Sequence, residues 1–364
     1  MRIENVEVYP VSTRRVVAGN VYGSSLFYIL RIRTDEGLTG IGEASDILHH
    51  EPPDVEYLVE RVRRDLAGRD PFNMNELQGV VRGFAFSEWR AGLDIALYDL
   101  LAKALRLPLY TLLGGKTRDR VVIAFPVWTM TRKEEVPKKL AEIDAMVERG
   151  VKAIRVYVGA NVEADKELIK GIWDRWGSEL LIRSLDTSNR FTPKNAIRFI
   201  REVERYEFQY LESPCASIEG MAEVRRAVDT PISQHVGSLE HALQMIRGRA
   251  VDIFNVALAA GGFHWARKVF TLAEAAGIEC VVGTTQELNI GTAAQAHLIA
   301  STPNIHYACD PAGPLFYERD VTKTGVTFRE GEMLIPEGYG LGLEIDEDKL
   351  RELTLKPGEQ KRLL

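Results

Sequence analysis

From residue 121 to residue 310 the chain alternates short apolar runs of strand length with longer helical runs, and this alternation leaves few folds open. The strand candidates span 121–128, 153–158, 180–186, 208–212, 231–235, 251–258, 279–284 and 305–310. Helical runs at 133–149, 164–176, 193–205, 218–228, 239–247, 263–276 and 287–300 separate them. Strand followed by helix, repeated about eight times, implies parallel strands closed into a barrel. Three consecutive strands end in possible metal ligands, Asp186, Glu212 and His235, spaced by about one strand-plus-helix unit of a barrel. The carboxyl ends of barrel strands share one rim, where such folds hold their chemistry, so these three side chains are expected to meet there.

The first part of the chain has a different texture. Residues 3–11, 26–33 and 38–43 read as antiparallel strands, the last after the turn Asp35-Glu36-Gly37. The connection 12–25, with Gly19, Gly23 and Ser24, reads as a long loop of the kind that serves as a lid, and Tyr22 within it is a candidate substrate contact. Residues 55–62 and 88–104 have helical periodicity, the second with a broad stripe of Ala91, Leu93, Ile95, Ala96, Leu97, Leu100 and Leu101. Gly114-Gly115-Lys116-Thr117 resembles the end of a phosphate loop, but Tyr110 stands where a glycine should open it, so the glycine pair reads as a helix end. Gly37, Gly40 and Gly42 lie between strands and carry no nucleotide loop. The expected division is a first domain over 1–120, a barrel over 121–324 and a tail over 325–364 that returns to the first domain.

Composition narrows the function classes. Net charge is −6, which provides no basic footprint for nucleic acid. Cys215, Cys280 and Cys309 are the only cysteines and form no C-x-x-C pair, so a reduced, cytoplasmic chain is expected. The charged start Met1-Arg2-Ile3-Glu4-Asn5 lacks a signal-peptide segment, and no apolar run approaches the ~18 residues of a membrane helix. The expected partners are a small-molecule carboxylate and further copies of the chain, with no nucleic acid and no membrane.

Several stretches together carry a resemblance: Gly40-Ile41-Gly42-Glu43, Asp94-Ile95-Ala96-Leu97-Tyr98-Asp99, Pro108 to Gly115, Leu211-Glu212-Ser213-Pro214, Gly261-Gly262 and Tyr339-Gly340-Leu341-Gly342. The chain resembles the enolase superfamily, in its mandelate racemase and muconate lactonizing branch. The resemblance implies an α/β fold, a modified TIM barrel of the form (β/α)7β with an α+β capping domain. It implies a divalent metal, usually Mg²⁺, held by Asp186, Glu212 and His235 and offsetting the charge of an enediolate formed by α-proton abstraction. Oxygen ligands suit Mg²⁺, and the imidazole of His235 brings Mn²⁺ into range.

The sequence departs from common members where proton transfer is done. Arg155-Val156-Tyr157 stands where many carry Lys-x-Lys, Val256 replaces a base on the sixth strand, and Gly283 replaces a histidine after the seventh. Arg155 and Tyr157 share one side of their strand. A guanidinium favours phenolate, so Tyr157 is a candidate base with Arg155 as its electrostatic partner, against the plainer role of a packed rim residue. His49 or His50 is the candidate acid for a leaving hydroxide, or an exposed pair at a helix entrance. Thr284 and Glu287 fit a capping box or substrate contact, and Asp310 fits a substrate hydroxyl or a turn. This pattern is similar to acid-sugar dehydratases of the galactarate type, and a metal-dependent lyase acting on an aldarate is expected. The alternatives are a cycloisomerase or epimerase of the same branch, or a metal-binding barrel without turnover.

Overall fold

The computed structural model describes residues 1–17, 20–45, 55–356 and 358–359; His49 and His50 lie outside them. Strands β1 (Ile3–Val17) and β2 (Asn20–Thr34) form a long antiparallel hairpin, and β3 (Thr39–Ala44) pairs with β2. Within the stretch 12–25 expected as a lid loop, residues 12–17 and 20–25 are therefore strand. Thr13, Val16, Val17 and Val21 give it β-propensity, and a register step between Arg14 and Val16 absorbs the irregularity. Tyr22 lies on β2 with 48% of its surface exposed.

Helices α1 (Val55–Leu66), α2 (Met74–Arg82) and α3 (Ser87–Ala104) pack on this sheet. The broad stripe of α3 has a use on both sides. Trp89, Leu93, Ala96, Leu97 and Leu100 belong to the core of the cap, while Ile95, Tyr98 and Ala102 belong to the core of the barrel. Its contact with β3 is backbone to backbone: a Cβ on Gly42 would fall 2.0 Å from the Gly92 carbonyl oxygen, so no side chain fits there.

Buried carboxylates on the cap fasten it to the barrel. Glu43 accepts from the backbone N–H groups of Leu288 and Gly291, both at 2.8 Å, at the start of α11 (Asn289–Ala300). Asp94 accepts from those of Phe263 and His264 at the start of α10 (Gly262–Ala276). A carboxylate satisfies orphan donors at a helix N-terminus and meets the positive end of its dipole. Asp99 accepts from the N–H groups of Ile41 and Leu341, each at 2.8 Å, and from Lys103 at 2.6 Å. The motifs at 40–43, 94–99, 261–262 and 339–342 thus form the joint between cap and barrel.

After the short helix α4 (Leu109–Leu112) and strand β4 (Arg120–Val122), the barrel strands are β5 (Ala124–Val127), β6 (Ala153–Tyr157), β7 (Leu181–Asp186), β8 (Tyr210–Glu212), β9 (Ile232–His235), β10 (Ile253–Asn255) and β11 (Glu279–Val281). They pair in parallel and in sequence order. The segment 305–310 closes the ring through parallel bridges Cys280↔Ile305 and Ile123↔Cys309. Between the strands run α5 (Val136–Glu148), α6 (Val162–Trp176), α7 (Pro193–Val203), α8 (Ile218–Ala227) and α9 (Leu239–Gly248), then α10. Asn161, Thr192, Ser217 and Ser238 cap α6 to α9 with their side chains, which fixes where each helix begins. The tail returns to the cap, where α12 (Glu347–Leu353) pairs Glu347 with Arg31 at 2.7 Å and Thr354 bridges Val11.

Candidate active site

Register brings the rim residues together. Tyr157 lies beside Asp186 and Asp186 beside Glu212 in the sheet, with His235 beside Asn255 on the next pair. Glu212 is fully buried at the centre. Its Oε1 accepts from Asn255 Nδ2 at 2.8 Å and lies 3.0 Å from His235 Nε2 and 3.7 Å from Arg155 Nη1. Its Oε2 lies 3.5 Å from Arg183 Nη2 and accepts from Ser184 Oγ at 3.4 Å. Burial alone would lift the Glu212 pKa; Arg155, then His235 and Arg183, hold its carboxyl well below the usual range instead.

Arg155 links the cluster. Its Nη2 lies 2.9 Å from Asp186 Oδ2 and also donates to the Tyr157 hydroxyl, and its Nη1 lies 2.9 Å from Asp310 Oδ2. Arg183, fully buried, pairs with the other Asp310 oxygen at 2.7 Å and donates to the Ala308 carbonyl. Asp310, expected at a substrate hydroxyl or a turn, is committed to two guanidiniums. Asp186 accepts at Oδ1 from the backbone N–H of Ser188 at 2.7 Å; burial and the Glu212 charge raise its pKa although Arg155 opposes them.

Tyr157 stacks on Trp128, ring centroids 5.0 Å apart and planes 21° apart, and Arg155 also lies over its ring. The expected lowering of its pKa is not what this environment produces. Burial drives the phenol well above its ordinary value, and the Arg155 charge recovers only part of that shift. Tyr157 therefore rests protonated, with its oxygen accepting from Arg155.

Among the described residues, the strand ends on the far side of the barrel carry no such group. In an eight-membered ring β10 lies opposite β6; there Asn255 points inward to Glu212, Val256 turns outward into the apolar core, and the next inward position is Ala257. Beyond β11, a Cβ on Gly283 would fall 2.0 Å from Asn255 Oδ1, so a side chain there would displace the Asn255 amide from its place against Glu212. Glu287 is held within its own turn by the hydroxyls of Thr284 and Thr285, and the α11 terminus takes its carboxylate from Glu43. The sequence pattern paired Thr284 with Glu287 but could not show which carboxylate meets the helix.

Asp186, Glu212 and His235 do converge, yet their arrangement does not suit a divalent cation. His235 Nε2 lies 3.0 Å from Glu212 Oε1, a separation at which the two share a proton and direct their polar atoms at each other. The oxygens of Glu212 and Asp186 already face N–H or O–H donors. Among the described residues no group of three His, Cys, Asp or Glu is disposed to hold a metal ion. Arg183, Ser184 and Asn255 were not singled out from sequence. The available signal was an arginine inside the apolar run 180–185 and an asparagine inside 251–258.

Comparison with known proteins places this geometry. Residues 139–349 match the enolase C-terminal domain-like family, and residues 3–114 match the mandelate racemase/muconate lactonizing enzyme N-terminal domain. The chain is 28% identical to the N-succinyl-L-Arg/Lys racemase of Bacillus cereus over 98% of each chain. It is 31% identical to the hydrophobic dipeptide epimerase of Enterococcus faecalis, covering 87% of this chain and 90% of the relative. The muconate lactonizing enzyme of Pseudomonas putida superposes with a TM-score of 0.88 at 26% identity, over 98% of this chain and 100% of that one. With both of its parts matched, the chain belongs to the enolase superfamily, in the mandelate racemase/muconate lactonizing enzyme branch.

Proposed function

We propose that this protein is an isomerase that transfers a proton at the carbon next to a substrate carboxylate, on one face only, as in a cycloisomerisation. The observation that carries this reading is the asymmetry of the rim. The Tyr157 hydroxyl lies on one side, and on the other the inward positions after Asn255 and Val281 are Ala257 and Gly283, which carry no ionisable group. Racemisation by direct proton exchange needs a donor and an acceptor on opposite faces of the enediolate. Ring closure needs one group. An ionised carboxylate oxygen of the substrate adds to the β-carbon of an α,β-unsaturated acid, the π electrons pass toward the conjugated carboxylate, and the α-carbon takes a proton. A neutral phenol is suited to give that proton. The N–H that Arg155 directs at the phenolic oxygen then steadies the phenolate left behind, and water reprotonates it. The reverse reaction uses the same groups in the opposite sense.

The racemase, epimerase and lactonizing relatives support an isomerase, whereas dehydration of an aldarate such as galactarate finds no counterpart among them. Dehydration also calls on an acid that the sequence placed at His49 or His50, outside the described residues. The test is an NMR screen of unsaturated mono- and dicarboxylates beside dipeptides and N-acyl amino acids. Cyclisation of an unsaturated acid is the expected result; epimerisation of an amino-acid derivative without cyclisation of any unsaturated acid would overturn the proposal.

A further inference from the structure

We infer that the guanidinium of Arg155 takes the place of a divalent cation in this site, so that the cluster assembles and holds its charge without a metal ion. This depends on the proposed function only for the location of the site, not for the reaction.

Three carboxylates, Asp186, Glu212 and Asp310, converge here with side chains at most 3% exposed. Carboxylates so buried and so close need positive charge among them. Arg155 reaches all three from one side chain that is itself 7% exposed, with Nη2 on Asp186 and Nη1 on Asp310 and Glu212. The planar fork allows this, since it directs several N–H groups outward from one fixed plane. Arg183 supports the same cluster from within the barrel, on Asp310 and Glu212.

Coordination by a metal requires lone pairs pointing at an empty centre. Here Glu212 Oε1 is engaged by Asn255 and His235 and Oε2 by Ser184, while Asp186 is engaged by Ser188 and Arg155. A cation entering between Asp186 and Glu212 would have to expel Arg155, whose positive charge would then be left buried without partners. Being tethered to β6, the guanidinium competes with any free ion at high effective concentration. The replacement of Lys-x-Lys by Arg155-Val156-Tyr157 and the arrival of His235 on β9 then belong together. Arg155 supplies the fixed cation, and His235, donating through Nε2, fills the remaining approach to Glu212.

The experiment uses the purified full-length chain, stripped with chelator, and Mn²⁺ as the probe, titrated by electron paramagnetic resonance. The wild type is expected to leave the free Mn²⁺ signal undiminished and to melt at the same temperature in Mg²⁺ and in EDTA. Arg155→Ala opens the seat and is expected to bind one equivalent, at least about tenfold tighter than wild type, or ~1.4 kcal/mol. Adding Glu212→Gln should abolish that binding. One equivalent bound by the wild type and lost on Glu212→Gln overturns the inference, and so does a folded Arg155→Ala that binds no more tightly than wild type. Binding that survives Glu212→Gln lies elsewhere and counts as none at this site. If Arg155→Ala does not fold, Arg155→Met, which keeps the aliphatic stem, is read in the same way; if neither folds, the wild-type titration with its Glu212→Gln control decides. No substrate enters these measurements, so their outcome is separate from that of the isomerase proposal.

Discussion

Arg155→Met tests how far one side chain holds the rim together. The change removes a guanidinium that lies 2.9 Å from Asp186, 2.9 Å from Asp310 and 3.7 Å from Glu212, and leaves an apolar stem in its place. Removing one partner from a buried charge network costs about 3–5 kcal/mol. The lower part of that range applies, because Arg183 still pairs with Asp310 at 2.7 Å and with Glu212 at 3.5 Å. Asp186 loses its guanidinium outright and keeps only Ser188. The pKa of Asp186 is raised already, by burial and then by Glu212, with Arg155 opposing. In the variant it rises further. A carboxyl whose folded pKa lies above its unfolded value contributes stability below the unfolded pKa and loses it as pH climbs through the folded one. The deficit of Arg155→Met should therefore be about 3 kcal/mol near pH 8 and smaller near pH 5, by roughly 1.4 kcal/mol for each unit the pKa rises. Urea unfolding followed by circular dichroism at the two pH values measures it. A loss below about 1 kcal/mol, or one that is equal at both pH values, would refute the reasoning.

Asp94, whose carboxyl is pushed up to about 7 by burial, should lose its stabilising contribution as pH rises from about 4 to about 7, and Asp94→Asn should flatten that slope in thermal melts across this window. Gly42→Ala forces a methyl to within 2.0 Å of the Gly92 carbonyl oxygen, so it should destabilise the chain by about 1–3 kcal/mol or more in the same unfolding assay. Trp128→Ala removes the ring stacked 5.0 Å from Tyr157 and admits water, so the Tyr157 pKa should fall toward that of an ordinary phenol in ultraviolet titration.

What the sequence made legible was whatever depends on local periodicity. The order of strands and helices from residue 121 follows from runs and caps, and the meeting of Asp186, Glu212 and His235 follows from strand ends on a shared rim. What stayed hidden depends on partners far away in the chain. Arg155 reads as a helper of Tyr157 from its spacing, while its contact with Asp310 spans 155 positions. The pKa of Tyr157 was misjudged because a neighbouring cation is visible in sequence and burial is not. The paired strands at 12–17 and 20–25 were taken for a loop because the glycines and serines of this stretch mask a strand that pairs with its own neighbour. Glu43 showed itself only as part of a glycine-rich motif, and its place at the start of α11 emerges when cap and barrel are packed together.

The central claim, proton transfer on one face by Tyr157, is tested most directly by where deuterium goes. An unsaturated acid turned over in ²H₂O by the wild type should carry a single deuterium at the α-carbon in one configuration. Tyr157→Phe, which keeps the ring against Trp128, should lower the rate about 10²–10⁴-fold. Deuterium in both configurations, or a Tyr157→Phe protein that labels its product at the wild-type rate, would contradict it.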